Sequence, residues 1–185
     1  MAKYVAFMRA VNVAGHARVR MSAVREAFEA AGCRNVRTVI QSGNVLFESS
    51  ARVARRTVRK VRDNLRVLLG DEPEILIRTV SELVRVIEQA PFTDREATSG
   101  AKLYVAFLSR RPRRRPTLPF VSSKEALEAV AMSDREVFIV SRPKQSGFFG
   151  FPNNFIEEQL GVTATSRNWS TVTRIVEFSR SEAKT

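Results

Sequence analysis

Arginine side chains cluster where loops are expected in this sequence, and arginine holds anions through paired hydrogen bonds. The stretch FMRAVNVAGHARVRM, Phe7 to Met21, runs from an apolar strand pattern into a basic loop. Loop N–H groups that precede a helix can also contact an anion. The stretch matches neither the P-loop nor the GxGxxG pattern, so an ordinary basic connection is the alternative. The predicted anion-binding residues of this loop are Arg9, Asn12, Gly15, Arg18 and Arg20.

A second set of polar residues stands near the C-terminus, in TSRNWST from Thr165 to Thr171. A hydroxyl here can cap the last helix and leave N–H groups available to an anion beside Arg167 and Asn168. The hairpin turn around Ser42-Gly43-Asn44 adds Gln41 and Asn44, which can orient polar groups. Trp169 is the only tryptophan, and we interpret it as a core anchor for the terminal helix.

Two further basic segments are candidates for contact with a phosphate backbone. The segment from Arg110 to Pro116 has five arginines in seven residues. The segment from Arg52 to Leu69 predicts an amphipathic helix with arginines along one face. The alternative for both is a solvated surface without a specific ligand, and no aromatic residue interleaves the helical arginines for base stacking.

The formal net charge of +12 favours nucleic acid, phosphorylated ligands or an acidic partner. With one Cys and one His, the sequence predicts no internal disulfide, metal site or cofactor. It shows no paired-carboxylate signature, nucleophile elbow or Cys–His couple, so catalytic residues are unknown. No apolar run is long enough to span a membrane, and the N-terminus reads as a strand, so we expect a cytoplasmic protein.

The sequence repeats itself at offsets near one hundred. YVAF at residues 4–7 recurs at 104–107, REAFEA at 25–30 matches KEALEA at 124–129, and QSG at 41–43 recurs at 145–147. Three matches in the same order predict an internal duplication. The same alignment places a basic loop after each copy of YVAF, one after Phe7 and one after Phe107.

The apolar periodicity of the first copy predicts the order βαββαβ, which is typical of the ferredoxin-like fold. Its expected elements are strands at 3–8, 36–41, 45–48 and 74–79, and helices at 22–31, 53–69 and 81–89, the last with Ser81 as N-cap. The second copy is expected to have strands at 102–108, 136–140 and 162–165, an uncertain strand near 148–149, and helices at 123–131, 152–160 and 168–178. We therefore predict an α+β fold of two ferredoxin-like units packed into one compact molecule, with residues 1–92 and 101–180 as units and 93–100 as linker.

The motifs together resemble a known family, the domain of unknown function 1697 family. The likeness begins at Tyr4–Arg9 and Val11–Val13, includes Met21 and Thr38–Asn44 (TVIQSGN), and resumes at Gly161–Val172 (GVTATSRNWSTV). The resemblance implies a mostly bacterial protein with two ferredoxin-like units and implies no activity. Our first hypothesis is a protein that binds a phosphorylated ligand or nucleic acid. The alternatives are an enzyme acting on a small anionic substrate and a structural or protein-partner role, and the oligomeric state is open.

Overall fold

The computed structural model describes residues 1–9, 20–40, 43–69, 73–98 and 100–181. The chain has a mixed α+β fold with two antiparallel sheets. Its contacts divide it into unit 1, Met1–Val84 with Ile175–Thr185, and unit 2, Arg85–Arg174. Each unit contains one of the two sheets, and the predicted limits of 1–92 and 101–180 stay predictions.

Unit 1 follows the element order that its apolar periodicity predicts. The elements are β1 Ala2–Met8, α1 Met21–Ala30, β2 Arg34–Thr38, β3 Asn44–Ser49, α2 Ala51–Leu69, β4 Ile75–Thr79 and α3 Val80–Glu88. The sheet has the order β2-β3-β1-β4, and every neighbouring pair is antiparallel. The predicted strands and helices of this half are confirmed, with small shifts at their ends.

The inner strands β1 and β3 of the unit 1 sheet are largely buried on both faces, whereas the edge strand β2 is mostly exposed. On one face, the alternate residues Tyr4, Ala6 and Met8 of β1 join a core cluster with side chains of α1 and α2. In that cluster Phe47 packs between the rings of Tyr4, at 5.5 Å, and Phe28, at 5.3 Å. On the other face Val5 is fully buried as well. Neither face of these inner strands is therefore an open surface for a flat ligand.

Helix α3 begins at Val80, and its N-cap lies two residues before the predicted Ser81. Thr79 Oγ1 accepts from the backbone N–H of Glu82 at 3.1 Å, and Glu82 Oε2 accepts from the backbone N–H of Thr79 at 2.7 Å. This reciprocal pair is a capping box, which satisfies N–H groups that the first helical turn leaves without acceptors. The prediction of Ser81 as N-cap is wrong, because Thr79 has a glutamate three residues later.

Unit 2 has a five-stranded sheet of order β6-β7-β8-β5-β9. The remaining elements are α4 Asp94–Thr98, β5 Lys102–Leu108, β6 Phe120–Ser122, β7 Leu127–Met132, β8 Glu136–Ser141, α5 Asn153–Leu160, β9 Ala164–Asn168 and α6 Trp169–Ser181. Helix α5 ends at Gly161, whose left-handed φ of 61° forms the predicted C-terminal stop. The uncertain strand near Phe148 is reduced to one bridge, Pro143 with Phe149.

The predicted helix over residues 123–131 is wrong. Residues 123–126 form a turn, with the N–H of Ala126 donating to the carbonyl of Ser123 at 3.3 Å, and β7 follows. Strand β7 pairs with β6 on one side and with the buried strand β8 on the other. The apolar run EVFIVS of β8 needs a strand on each side, and this requirement outweighs the helical propensity of KEALEA.

The strands at the centre of the two sheets have the same hydrogen-bond register. Val5 of β1 lies opposite Leu46 and Arg78, and Val105 of β5 lies opposite Phe138 and Arg167. The bonds just beyond the strands also correspond, because the N–H groups of residues 9 and 109 donate to the carbonyls of residues 74 and 163, each at 2.9 Å. Strand β4 is therefore positioned in unit 1 as β9 is in unit 2.

Candidate basic ligand-binding site

The arginine-rich segment of residues 110–115, here called the arginine loop, is fixed to unit 2 by its own arginines. Arg115 Nη2 donates to Asp134 Oδ1 at 2.6 Å and to the Ser133 carbonyl at 3.1 Å. Arg111 reaches the same carboxylate at 3.6 Å. Arg115 attaches the C-terminal end of the loop to the turn between β7 and β8, and Arg111 reaches the same turn from the N-terminal part of the loop.

The other end of the arginine loop is held by Arg110, whose Nη2 donates to the Gly161 carbonyl at 3.1 Å. This carbonyl belongs to the C-terminal cap of α5, where cations are favoured. Pro112 is buried between the two anchored ends. Three arginines of the loop thus contact unit 2.

Arg113 and Arg114 lie between the anchored ends and are exposed. Within the described part of the chain, neither side chain has a hydrogen bond or an ion pair. Two adjacent guanidinium groups on a fixed loop can each offer two N–H donors to one phosphate or carboxylate. The sequence predicted a basic loop here, but the division into anchoring and exposed arginines required the structure.

Arg167 of β9 is held in a half-buried position. Its Nη1 donates to Thr165 Oγ1 at 3.0 Å and to the Ser166 carbonyl at 2.9 Å. Protein atoms crowd the guanidinium, and this desolvation lowers the pKa of Arg167 to about 10. The group is still charged at neutral pH, and a charge in such surroundings interacts with anions more strongly than one in water.

Arg78 of β4 is the counterpart of Arg167 in unit 1 and was missed by the sequence reasoning. It is 2% exposed, and its Nη1 donates to the Ile77 carbonyl at 2.9 Å, as Arg167 does to Ser166. A signal existed in the sequence, since an arginine stands next to the last residue of each strand, Thr79 or Asn168, before a helix begins.

The residues predicted in the first basic loop lie partly outside the described ranges. Arg9 is half-buried, and its backbone N–H donates to the Glu74 carbonyl at 2.9 Å. Arg20 is exposed and immediately precedes α1. The predicted residues Asn12, Gly15, Arg18 and Gln41 lie outside the described residues, so anion contact by this loop stays a prediction.

Asn44 and Asn168 have different environments. Asn44 is fully buried, and its Nδ2 donates to the Val39 carbonyl at 3.2 Å, which fixes the hairpin between β2 and β3. Asn168 is exposed at the end of β9. The adjacent Trp169 ring meets Phe92 edge-on at 5.3 Å and Phe138 at 6.5 Å. Trp169 therefore packs in an aromatic cluster of unit 2.

Helix α2 presents further arginines on its outer side. Arg56, Arg59 and Arg66 are exposed, whereas Arg62 donates to the Ile75 carbonyl at 3.1 Å and lies 3.9 Å from a carboxylate oxygen of Glu74. The side chains of the two remaining arginines of the predicted stripe, at 52 and 55, are outside the described set. Part of the stripe is thus exposed, and one member holds α2 to β4.

Nucleophilic and metal-binding groups are sparse in the described residues. Burial raises the pKa of the Cys33 thiol to about 12, so at neutral pH it is protonated and is a poor nucleophile. A search of the described ranges found no group of three His, Cys, Asp or Glu side chains placed to hold a metal ion. Within the same ranges, no helix has the length and apolar character to cross a membrane.

Comparison with known proteins identifies a family and a solved relative in fold. A family model described as a protein of unknown function, DUF1697, matches residues 1–138. The conserved bacterial protein SP0830 from Streptococcus pneumoniae has a similar structure, with a TM-score of 0.61 and 16% sequence identity. The match covers 95% of this chain and 97% of that protein. No curated protein matches the chain. At this level of identity the similarity concerns the fold.

Proposed function

The chain belongs to the DUF1697 family, and we propose that it binds the phosphate backbone of a nucleic acid through its arginine loop. The observation that carries the proposal is that some arginines of this loop contact unit 2 while others are exposed. Arg110, Arg111 and Arg115 hold the loop against unit 2, and Arg113 and Arg114 stay exposed. A loop ordered in advance loses little conformational entropy on binding, so more of its electrostatic attraction contributes to affinity.

The charge of the whole chain supports a polyanionic ligand over a neutral one. The formal net charge is +12. Exposed arginines occur in both units, on α2 as well as in the arginine loop. Attraction of this kind depends on charge and not on base sequence, and its signature is affinity that falls steeply with salt. We expect binding with little sequence preference.

The burial of the sheets favours a contact through loops. Val5 and Phe7 in unit 1, and Val105 and Phe107 in unit 2, are fully buried, as are their neighbours Ala6 and Ala106 on the opposite faces. A nucleic acid that stacks its bases on a sheet needs exposed aromatic residues on one face. The central strands have no such face, so the proposed contact lies outside the sheets.

A small phosphorylated molecule is the second candidate ligand, and the environment of Arg167 favours it. Its guanidinium is half-buried and desolvated, and Arg167 stands two residues before Trp169, the first residue of α6, whose N-terminal N–H groups favour anions. In unit 2 the proposed contacts are Arg167 and Asn168. Unit 1, taken by itself, has its own proposed contacts, which are Arg9, Asn12, Gly15, Arg18, Arg20, Gln41 and Asn44. The amide of Asn44 would act by keeping the hairpin in place, since it donates to Val39.

We also propose that the two units are ferredoxin-like copies of one ancestral unit. Three observations support this: the order βαββαβ of unit 1, its strand order β2-β3-β1-β4, and the shared register of β1 and β5 with their neighbours. In unit 2 the first helix is replaced by the strands β6 and β7. The replacement adds an edge strand and places the arginine loop between β5 and β6.

The test compares two double variants that remove the same charge. Arg113→Gln with Arg114→Gln changes the arginine loop, whereas Arg174→Gln with Arg180→Gln changes two exposed arginines of α6. Affinity for a labelled duplex is measured by fluorescence anisotropy at several salt concentrations. If both loop arginines contact phosphates, the slope of log affinity against log salt becomes less negative by about 1.8 in the loop variant. Equal slopes in the two variants would make the net charge, and not the loop, responsible for binding.

The second candidate is tested on a different residue. Arg167→Lys keeps the charge and loses the planar guanidinium, and Arg78→Lys is the matched change in unit 1. Saturating inorganic phosphate should raise the melting temperature of the wild-type protein and of Arg78→Lys, and should raise it less for Arg167→Lys. A phosphate effect that is the same in all three proteins would remove Arg167 from the proposal.

A further inference from the structure

Two phenylalanine rings are exposed in a short hairpin of unit 2, residues 143–151, here called the aromatic hairpin. Phe148 is 76% exposed and Phe151 is 56% exposed. Large aromatic side chains are normally buried, because leaving such a ring in water forgoes the transfer free energy of a large apolar surface. Two of them within four residues of one hairpin form a surface feature that folding alone does not require.

The aromatic hairpin is held in a defined shape. Its strands meet in the bridge between Pro143 and Phe149, and the Lys144 N–H donates to the Phe148 carbonyl at 2.9 Å. The turn closes with the Gly147 N–H donating to the Lys144 carbonyl at 2.8 Å, at a φ of 77° that favours glycine. The exposed ring of Phe148 thus stands beside a fixed turn.

The base of the hairpin is fixed to the sheet of unit 2. Ser141 Oγ donates to the Gly150 carbonyl at 3.0 Å. A Cβ at Gly150 would come within 2.1 Å of the Glu125 carbonyl oxygen, so the backbone is packed closely against the turn before β7. Phe151 meets the ring of Tyr104 edge-on at 5.7 Å. The two exposed rings are therefore presented on a supported backbone.

Two lysines lie at the aromatic hairpin, and each ammonium already has a partner. Lys102 Nζ lies 4.4 Å from the ring centroid of Phe149, which is a cation–π contact. Lys144, paired in the hairpin with Phe148, has its ammonium 2.6 Å from Glu125.

The aromatic hairpin follows Ser141, which pairs with Lys102 at the start of β5, whereas the arginine loop follows Leu108 at the other end of that strand. A single strand held by the arginine loop would therefore extend along the length of β5 to reach Phe148. The combination of the arginine loop and the exposed rings suits a polymer that carries both phosphates and flat aromatic groups.

We propose that the aromatic hairpin stacks on the bases of single-stranded nucleic acid, with Phe148 as the principal platform. The inference rests on the proposed function, because the arginine loop supplies the attraction to phosphate. Stacking on aromatic side chains requires bases that are not already stacked in a duplex, and it is tolerant of sequence. The aromatic hairpin would therefore make the protein prefer single strands to duplexes.

The test uses Phe148→Leu, which keeps a large apolar side chain and removes the aromatic face. The matched control is Val67→Ala on α2, which changes another exposed apolar residue, 85% exposed. Because each stacked base contributes roughly 1–3 kcal/mol, Phe148→Leu should weaken single-strand binding by about 5- to 150-fold. Duplex binding and the salt slope should stay unchanged, and Phe148→Tyr should restore single-strand binding. A loss of single-strand affinity in Val67→Ala as large as that in Phe148→Leu would overturn the inference.

Failure of this inference can be distinguished from failure of the proposed function. If the loop variant weakens binding while Phe148→Leu binds single strands as tightly as the wild type, the stacking site is wrong and the backbone contact stands. If the wild-type protein binds neither nucleic acid form at low salt, both are wrong. Vesicles containing phosphatidylserine form a third arm. Vesicle binding that is lost in Phe148→Leu, with single-strand binding unaffected, would assign the exposed rings to a lipid surface and overturn the inference.

Discussion

Residues 25–30 and 124–129 have nearly the same sequence, REAFEA and KEALEA, and adopt different structures. The first forms most of helix α1, and the second forms a turn followed by the first residues of strand β7. Both segments consist largely of good helix formers. The difference shows that tertiary packing, and not the intrinsic preference of six residues, decides between helix and strand here.

In the first segment the helical period matches the available core. Val24, Ala27 and Phe28 are buried at three- and four-residue spacing and join one cluster with Phe47 and Leu65. The charged residues between them are exposed. A helix places one stripe of side chains on the sheet, so Ala27 and Phe28 of REAFEA are buried without burying a charge.

In the second segment, the buried residues follow the two-residue period of a strand. Leu127 and Ala129 are buried on the same sheet face, and Glu128 between them faces the other way, with its carboxylate 2.6 Å from Arg142 of the neighbouring segment. Glu125, in the preceding turn, is 2.6 Å from Lys144. The strand form therefore gives both glutamates of KEALEA a partner. It also pairs with β8, whose six residues are all buried.

The largest predicted loss of stability comes from truncating the buried side chains at the aligned positions of the two segments, Phe28 and Leu127. Removing buried side chains costs the transfer free energy and leaves a cavity, so Phe28→Ala should lower the free energy of unfolding by about 4 kcal/mol and Leu127→Ala by about 3 kcal/mol. Urea unfolding followed by circular dichroism and by Trp169 fluorescence measures both. Glu26→Ala, an exposed change in α1, should stay within about 0.5 kcal/mol of the wild type. A silent Leu127→Ala would show that burial does not hold β7.

The comparison also explains how much of the fold the sequence could predict. Unit 1 was predicted nearly in full, because its apolar residues follow periods of 2 and 3.6 and its turns contain glycine. In unit 2 the period of KEALEA was ambiguous: Leu127 and Ala129 fit a strand, and the composition fits a helix. The partner strand that decides the matter, β8, follows β7 after residues 133–135. The pattern within KEALEA itself does not report this pairing.

The sequence predicted that the candidate site is rich in arginine, but not how its arginines are arranged. The sequence identified the arginine-rich segment. However, Arg115 is anchored by Asp134, which is distant from it along the sequence and adjacent to it in the fold. The sequence predicted only an uncertain strand near Phe148 and no exposed ring there. Which aromatic residues remain exposed depends on the bridge and turn of the aromatic hairpin, which have no periodic signature.

The next largest loss of stability is expected at Gly150, which packs closely against the backbone of the turn that begins KEALEA. Gly150→Ala places a methyl group against the backbone carbonyl of Glu125, so we expect a loss of about 2 kcal/mol in the free energy of unfolding of unit 2. Gly147→Ala is the control, since it meets no atom within 4 Å and costs only about 1 kcal/mol for its left-handed φ. If the two variants unfold at the same urea concentration, the turn can shift away and does not fix the start of β7.

A smaller effect compares the helices that follow the two equivalent edge strands. Helix α3 has the capping box of Thr79 and Glu82, whereas the first turn of α6 has no acidic residue. Thr79→Ala should lower the free energy of unfolding by about 1 kcal/mol, since the first-turn N–H groups lose an acceptor. Thr93→Ala, in the similar but exposed box of α4, should cost less, because water replaces the lost bond. Urea midpoints of the two variants decide this, and an equal loss would show that burial adds nothing to the cap.

The smallest effect tests the ion pair that accompanies the strand form of KEALEA. The side-chain hydrogen bond from Lys144, followed by the charge of Lys144, lowers the pKa of Glu125. A lowered carboxyl pKa gives stability that is present above the ordinary value of roughly 4.3 and is lost as pH falls through the folded-state pKa. The urea midpoint of Lys144→Gln should therefore lie slightly below that of the wild type at neutral pH and converge with it in acid. Arg174→Gln, which removes one exposed charge elsewhere, should show no such convergence. A difference between Lys144→Gln and the wild type that persists unchanged in acid would mean that Lys144 supports the turn by packing and not by its charge.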